Sequence, residues 1–198
     1  MINLLRTVLF MLLLVLCTAT LSVACVGKSL EIGTTGTVQQ EVLANIIAEL
    51  IGERTGTTVK VVSFKNSDEA HAALLNADID MYVEYTGVGQ TMILQAQPLT
   101  DAAELYKAVK DRYNEELNLV WLKPFGFDAA QSLGVALPAE AAPVVRKDTL
   151  KKFPALARLI NKLGGTIDQK TIASLEKEAS SGQSKQVAHG FLKNNRLI

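Results

Sequence analysis

From residue 29 onward, apolar and polar positions follow two alternating rhythms. Short aliphatic and β-branched runs at residues 30–32 and 58–62 predict strands. Between them Leu43, Ile46, Ile47, Leu50 and Ile51 recur at three- and four-residue spacing, which places one apolar stripe along a helix. Gly33-Thr34-Thr35-Gly36 is the turn before that helix, Thr37-Val38-Gln39-Gln40 is a capping-box signature that opens it, and Gly56 marks its exit. The alternation continues with a short helix over 68–76, a third strand over 79–83, and a polar helix over about 101–117 with Leu105, Val109 and Tyr113 on its inner stripe. Residues 119–122, 133–137 and 143–145 are further strand candidates. The rest reads as helical: 153–163, a break at Gly164-Gly165, then a second capping box at Thr166-Ile167-Asp168-Gln169. One helix after it carries Ile172 and Leu175, and a last one carries Val187, Phe191 and Leu192. Strands interleaved with helices predict an α/β domain.

The stretch before residue 25 is patterned differently. Residues 1–24 hold one charge, Arg6, then an apolar run over 8–16 and small residues at the exit, which is the plan of a secretory signal. The run is short for a hydrocarbon layer of about 30 Å. Cleavage after Ala24 removes Cys17 and leaves Cys25 as the single cysteine, which cannot form an intramolecular disulfide. Leu21-Ser22-Val23-Ala24 is an imperfect lipobox, with Ser22 where an aliphatic residue is preferred, and Ser22-Val23-Ala24 also fits an ordinary signal-peptidase site. Lipid attachment at Cys25 and plain cleavage both place the product outside the cytoplasm, periplasmic or on the outer face of the cytoplasmic membrane. Residues 25–198 are enough for one domain. With 20 basic and 20 acidic side chains the net charge is zero, which gives no basis for a nucleic-acid partner.

The chemistry-bearing residues are few. Tyr85-Thr86-Gly87 leaves the third predicted strand at its carboxyl end, where open α/β sheets bind ligands. A tyrosine there offers its π-face to a cation. His71 and His189 are the two histidines, and the sequence shows no nucleophile elbow, metal-ligand cluster or phosphate loop. The expectation is a protein that is not an enzyme and needs no cofactor or metal. Asp68 and Glu69 read as a solvated helix start favoured by the helix dipole.

Three segments carry a resemblance. The run from Ala73-Leu74-Leu75-Asn76 through Ile79-Asp80 to Tyr82-Val83-Glu84-Tyr85-Thr86-Gly87 resembles the first-lobe signature of osmoprotectant-binding proteins, the extracytoplasmic receptors of ABC importers for glycine betaine, choline and carnitine. Leu119-Val120-Trp121-Leu122-Lys123-Pro124-Phe125-Gly126-Phe127 and Ala141-Ala142-Pro143-Val144-Val145-Arg146-Lys147-Asp148 are similar to two later segments, in family order. The resemblance implies one lobe of a type II periplasmic-binding-protein fold, a mixed sheet flanked by helices. It also exposes a departure. The family inserts a second lobe between the segments that resemble 133–137 and 141–145, and here only Pro138-Ala139-Glu140 lies between them. The expected organisation is a signal over 1–24 and a single lobe over 25–198, with the inserted lobe absent near 138–140.

Three strand-end loops then become the candidate ligand site. Thr34 and Thr35 sit at a helix amino terminus, whose free N–H groups and dipole suit a carboxylate. Phe64 and Asn66 lie in the second loop, and Tyr85 and Thr86 in the third. By resemblance Tyr85 corresponds to a ring of an aromatic cage around a quaternary ammonium, whereas Tyr82 belongs on the opposite face of its strand. His71 matches a family position but suits a structural role. Gln131 stands near where the family has another tyrosine, which weakens the cage. The resemblance implies solute binding for an ABC importer, with a betaine- or choline-like solute and an ABC permease as partners. A homodimer could rebuild the cleft by isologous pairing. The alternative is a degenerate single lobe acting as an interaction partner of a transporter or receptor without solute of its own.

Overall fold

The computed structural model describes residues 29–198. The export signal expected over 1–24 and the lipid attachment expected at Cys25 lie outside the described residues. In chain order the elements are β1 (Ser29–Thr34), α1 (Val38–Thr55), β2 (Thr58–Ser63), α2 (Ser67–Leu75), β3 (Met81–Tyr85), α3 (Ala102–Glu116), β4 (Leu119–Trp121), α4 (Ala130–Leu133), β5 (Ala141–Arg146), α5 (Lys147–Lys152), α6 (Leu156–Ile160), α7 (Gln169–Ala179) and α8 (Ser184–Asn194). A helical turn, Thr86–Val88, follows β3 and widens into a π-helical turn, Gly89–Ile93.

The sheet is mixed and runs β2-β1-β3-β5-β4. β1 pairs parallel with β2 and β3, each reached by a crossover helix, and β5 pairs antiparallel with both β3 and β4. β3 therefore lies at the centre, and all five of its residues are buried. Period-two alternation sends Met81, Val83 and Tyr85 to one face, with the apolar stripe of α1, and Tyr82 to the other, with Tyr113 of α3 and Trp121 of β4. Two apolar clusters result, one on each side of the sheet. α1, α7 and α8 cover the first; α2 and α3 cover the second.

Most predicted elements stand within two residues. α1 opens as its sequence indicates: Thr37 caps it and its side chain accepts a hydrogen bond from the Gln40 N–H. The Gln40 side chain does not complete the box. It is buried and donates across to the Val83 carbonyl at 3.1 Å. The second box also differs, since Asp168, not Thr166, caps α7 by accepting from Thr171. The predicted strand at 79–83 begins two residues later; Asp80 just before it is held to β1 by its own N–H on the Glu31 carbonyl, and its carboxylate accepts from the Glu31 N–H and from the Thr149 hydroxyl. The helix expected over 153–163 begins only after Pro154, as α6 followed by a 3-10 turn, Asn161–Leu163, and the short α5 before it was not expected.

One predicted strand is overturned. Residues 133–137 form no ladder; α4 ends at Leu133, and Gly134 takes a left-handed conformation at φ 65°. Apolar composition alone does not make a strand when no neighbour offers it hydrogen bonds. A single antiparallel bridge, Asp128 to Glu140, closes this excursion. Asp128 pins it by accepting from the Ala130 and Ala139 N–H groups.

Candidate functional site

The parallel order of β2, β1 and β3 brings the three predicted loops to one edge. Thr34 ends β1 opposite Ser63, and the Phe64 N–H donates to the Thr34 carbonyl at 2.7 Å, so the first two loops are joined directly. Tyr85 ends β3 one strand away. The structure therefore brings Thr34, Thr35, Phe64, Tyr85 and Thr86 to the carboxyl edge of the sheet. Asn66 and Gln131 are exposed on segments beside it.

Each of these side chains has a local task. Thr34 is 2% exposed and its hydroxyl accepts weakly from the Gly36 N–H at 3.4 Å. Asn66 caps α2, its side-chain oxygen accepting from the Glu69 N–H. Phe64 packs against the α2–α3 side of the core, where Gly33 leaves it room. Tyr85 is 4% exposed; its ring packs in the α1-side core and its hydroxyl donates to Gln39 at 2.6 Å. Gln39 in turn donates to Glu176 of α7 at 2.8 Å. Burial pushes the Tyr85 phenol well above its ordinary range, so it acts as a neutral donor.

Thr86 is wholly buried and holds the chain at residues 138–140. Its N–H donates to the Glu140 carbonyl at 3.1 Å; its hydroxyl accepts from the Glu140 N–H at 3.1 Å and donates to the Pro138 carbonyl at 3.3 Å. Gly87 is required beside it, because a Cβ there would meet the Pro138 carbonyl oxygen at 2.8 Å. The three residues between the two family-like segments thus rest directly on the Tyr85-Thr86-Gly87 loop.

Sequence reasoning missed the polar group beneath that loop. Glu84 is wholly buried on the face opposite Tyr85; one of its oxygens, Oε1, accepts from the Tyr85 N–H at 2.8 Å and from the Ser67 hydroxyl at 3.5 Å. Its other oxygen has no hydrogen-bond partner among the described residues. Burial raises its pKa from 4.5 to about 7, against the opposing pull of the Tyr85 N–H. Tyr82 and Tyr113 are buried alongside with their phenols pushed up by burial. The Tyr82 hydroxyl lies 3.1 Å from His71 Nδ1. Burial lowers the His71 pKa, with Asp68 opposing. His71 thus takes the structural place its helix position indicated. The signal for Glu84 was legible: a carboxylate between apolar residues of a central strand is costly unless its surroundings are specific. Gln39 and Gln40 gave no such signal.

The arrangement can accept and donate hydrogen bonds and hold one buried proton. A family profile described as the substrate binding domain of the ABC-type glycine betaine transport system matches residues 28–137 and 134–194. The chain is 29% identical over 127 residues to the carnitine transport binding protein OpuCC of Listeria monocytogenes, covering 63% of this chain and 38% of that one. It is 33% identical over 131 residues to a glycine-betaine-binding protein of Pseudomonas aeruginosa, covering 62% and 41%. The chain thus spans less than half the length of these two relatives. A crystal structure of a glycine betaine/carnitine/choline ABC transporter superimposes with a TM-score of 0.78 at 17% identity, covering 86% of this chain and 99% of that one. The apo form of YehZ from Escherichia coli gives 0.72 at 17% identity, covering 88% and 100%. At such identity these superpositions establish the fold.

Proposed function

Because the chain belongs to the family of substrate-binding domains of ABC-type glycine betaine transport systems, we propose that it is the extracytoplasmic solute-recognition component of an importer. Its solute is a quaternary amine of the betaine, choline or carnitine type, bound without chemistry and delivered to an ABC permease. The observation that carries this reading is the placement of Tyr85-Thr86-Gly87 at the carboxyl end of β3, beside the ends of β1 and β2, in a chain of this family. Thr34 and Thr35 before α1 suit the carboxylate end of such a solute, and Tyr85 the cationic end. Export by the signal over 1–24, with or without lipid on Cys25, is part of the same reading.

We read the chain as one lobe. Two observations support it: the matched stretches meet at 134–137, and only Pro138-Ala139-Glu140 separates the segments between which the family inserts its second lobe. A single lobe cannot close around a ligand, whereas small-molecule sites bury about 70–90% of what they hold. Two copies facing each other across the sheet edge would restore burial by isologous pairing. Tyr85 is 4% exposed, so its ring must be uncovered before it can meet a solute.

Titration calorimetry with glycine betaine, choline and carnitine, run beside light scattering, tests this reading. Saturable heat with one of the three is expected, with Tyr85→Ala abolishing it and Tyr85→Phe, which keeps the ring and frees Gln39, retaining it. Absence of heat with all three refutes the solute assignment. A monomer at high concentration, with and without ligand, refutes the rebuilt cleft.

A further inference from the structure

The face of α1 remote from the sheet edge carries a group that sequence spacing hides. Glu49 and Glu53 lie one helical turn apart on α1, and α8, the last helix, packs across them and supplies His189. One ligand atom from each, an imidazole nitrogen and two carboxylate oxygens, lie within 4.8 Å of one another. His189 Nδ1 is 3.5 Å from Glu49 Oε2. Glu49 is the anchored member: its side chain is 17% exposed, and Lys185 holds its other oxygen, Oε1, at 3.3 Å. That contact leaves Oε2 turned toward His189. A concave space of about 500 Å³ opens beside the group, lined by Gln183, Lys185, Gln186 and His189.

We propose that Glu49, Glu53 and His189 form a binding site for a divalent transition cation of the zinc type, distinct from the solute site. One imidazole and two carboxylates from two helices make a three-ligand set of the kind zinc accepts, with a fourth position left to water. Metal–ligand bonds of about 2.1 Å place tetrahedral ligand atoms about 3.4 Å apart. The Glu49–His189 pair already meets that separation. Glu53 is exposed and reaches the remaining distance by a rotamer change. Lys185 stays on Glu49 Oε1 and offsets part of the charge. The cation would fasten the carboxyl-terminal helix to α1, the helix that also carries Thr37, Gln39 and Gln40 at the sheet edge. A ligand that binds the folded chain alone stabilises it by mass action.

The test is a titration of the purified, tag-free protein with Zn²⁺ in phosphate-free buffer, with Co²⁺ as a spectroscopic probe and thermal unfolding as a second readout. One equivalent should bind, raise the unfolding temperature and give visible Co²⁺ bands. His189→Ala and Glu53→Gln, both surface changes, should each weaken binding at least about tenfold. Their circular dichroism should match the parent. Lack of saturable binding overturns the proposal. So does binding that both variants retain, which would place the ion elsewhere, for instance on Cys25.

Discussion

Replacing Glu84 by glutamine should remove a pH dependence that the native protein carries in its core. The folded protein holds the Glu84 pKa near 7, against 4.5 for the free side chain. A raised pKa means that the folded state prefers the protonated form. The stabilisation is therefore complete below pH 4.5 and is lost as pH rises through about 7. A shift of that size corresponds to about 3 kcal/mol between the two ends of the window. Two other groups titrate nearby. His71 has a lowered pKa, so its contribution is present above its free value of 6.5 and is lost as pH falls, opposing Glu84 over part of the range. Glu140 is raised by burial and by Asp128, in the same sense as Glu84. Subtracting the variant from the parent cancels both.

The assay is urea denaturation of the two proteins at intervals from pH 4.5 to 8. At the acid end the two proteins should be close in stability, because the protonated carboxyl's O–H and the amide's N–H₂ both stand where the Glu84 oxygen has no partner. Toward pH 8 the difference should move in favour of glutamine by about 3 kcal/mol, or roughly 6–12 °C in melting temperature for a domain of this size. A difference between the two proteins that stays constant across the range refutes the reasoning, since a titrating, buried Glu84 could not then be the source.

Two further outcomes test the packing around the sheet edge. Thr86→Val should cost about 1–3 kcal/mol in denaturation, because it leaves the Glu140 N–H and the Pro138 carbonyl without their hydroxyl partner. Gly89→Ala should cost about 1–3 kcal/mol, because the added Cβ meets the Trp121 ring at 2.9 Å and the Tyr113 hydroxyl at 3.1 Å in a packed core.

The elements were legible where a periodic apolar stripe and a cap agree. α1 shows both, with Thr37 at its start and the Leu43–Ile51 stripe facing the sheet. The face assignment of Tyr82 against Tyr85 followed from strand alternation alone. Failures came where long-range partners decide. Residues 133–137 have strand-like composition, but the neighbour they would need is absent, and Gly134 turns the chain instead. Gln40 has the residue type of a capping box, but the Val83 carbonyl, 43 residues away, takes its side chain. Within the candidate site, Thr34, Phe64, Tyr85 and Thr86 were placed at the right edge by strand order. Glu84 could have been read from its place between apolar residues of a central strand, whereas Gln39 and the clamp on Pro138 and Glu140 depend on contacts that no local pattern encodes.

The crossover links the two halves of the argument. In a chain with an inserted lobe, the backbone leaving residue 137 and the backbone entering residue 141 would be carried away from the sheet. Here the same backbone turns within three residues and lies on Thr86, which supplies a donor and an acceptor from its hydroxyl and a third bond from its N–H. These bonds satisfy peptide groups that would otherwise be buried unmet. The clamp therefore fixes the end of β3 and, through the Tyr85 N–H, the carboxylate of Glu84 behind it. Thr86 serves the fold first. On the function proposed above, solute recognition would then fall to the ring of Tyr85, the threonines before α1 and the surface that a second copy would bring to the open edge.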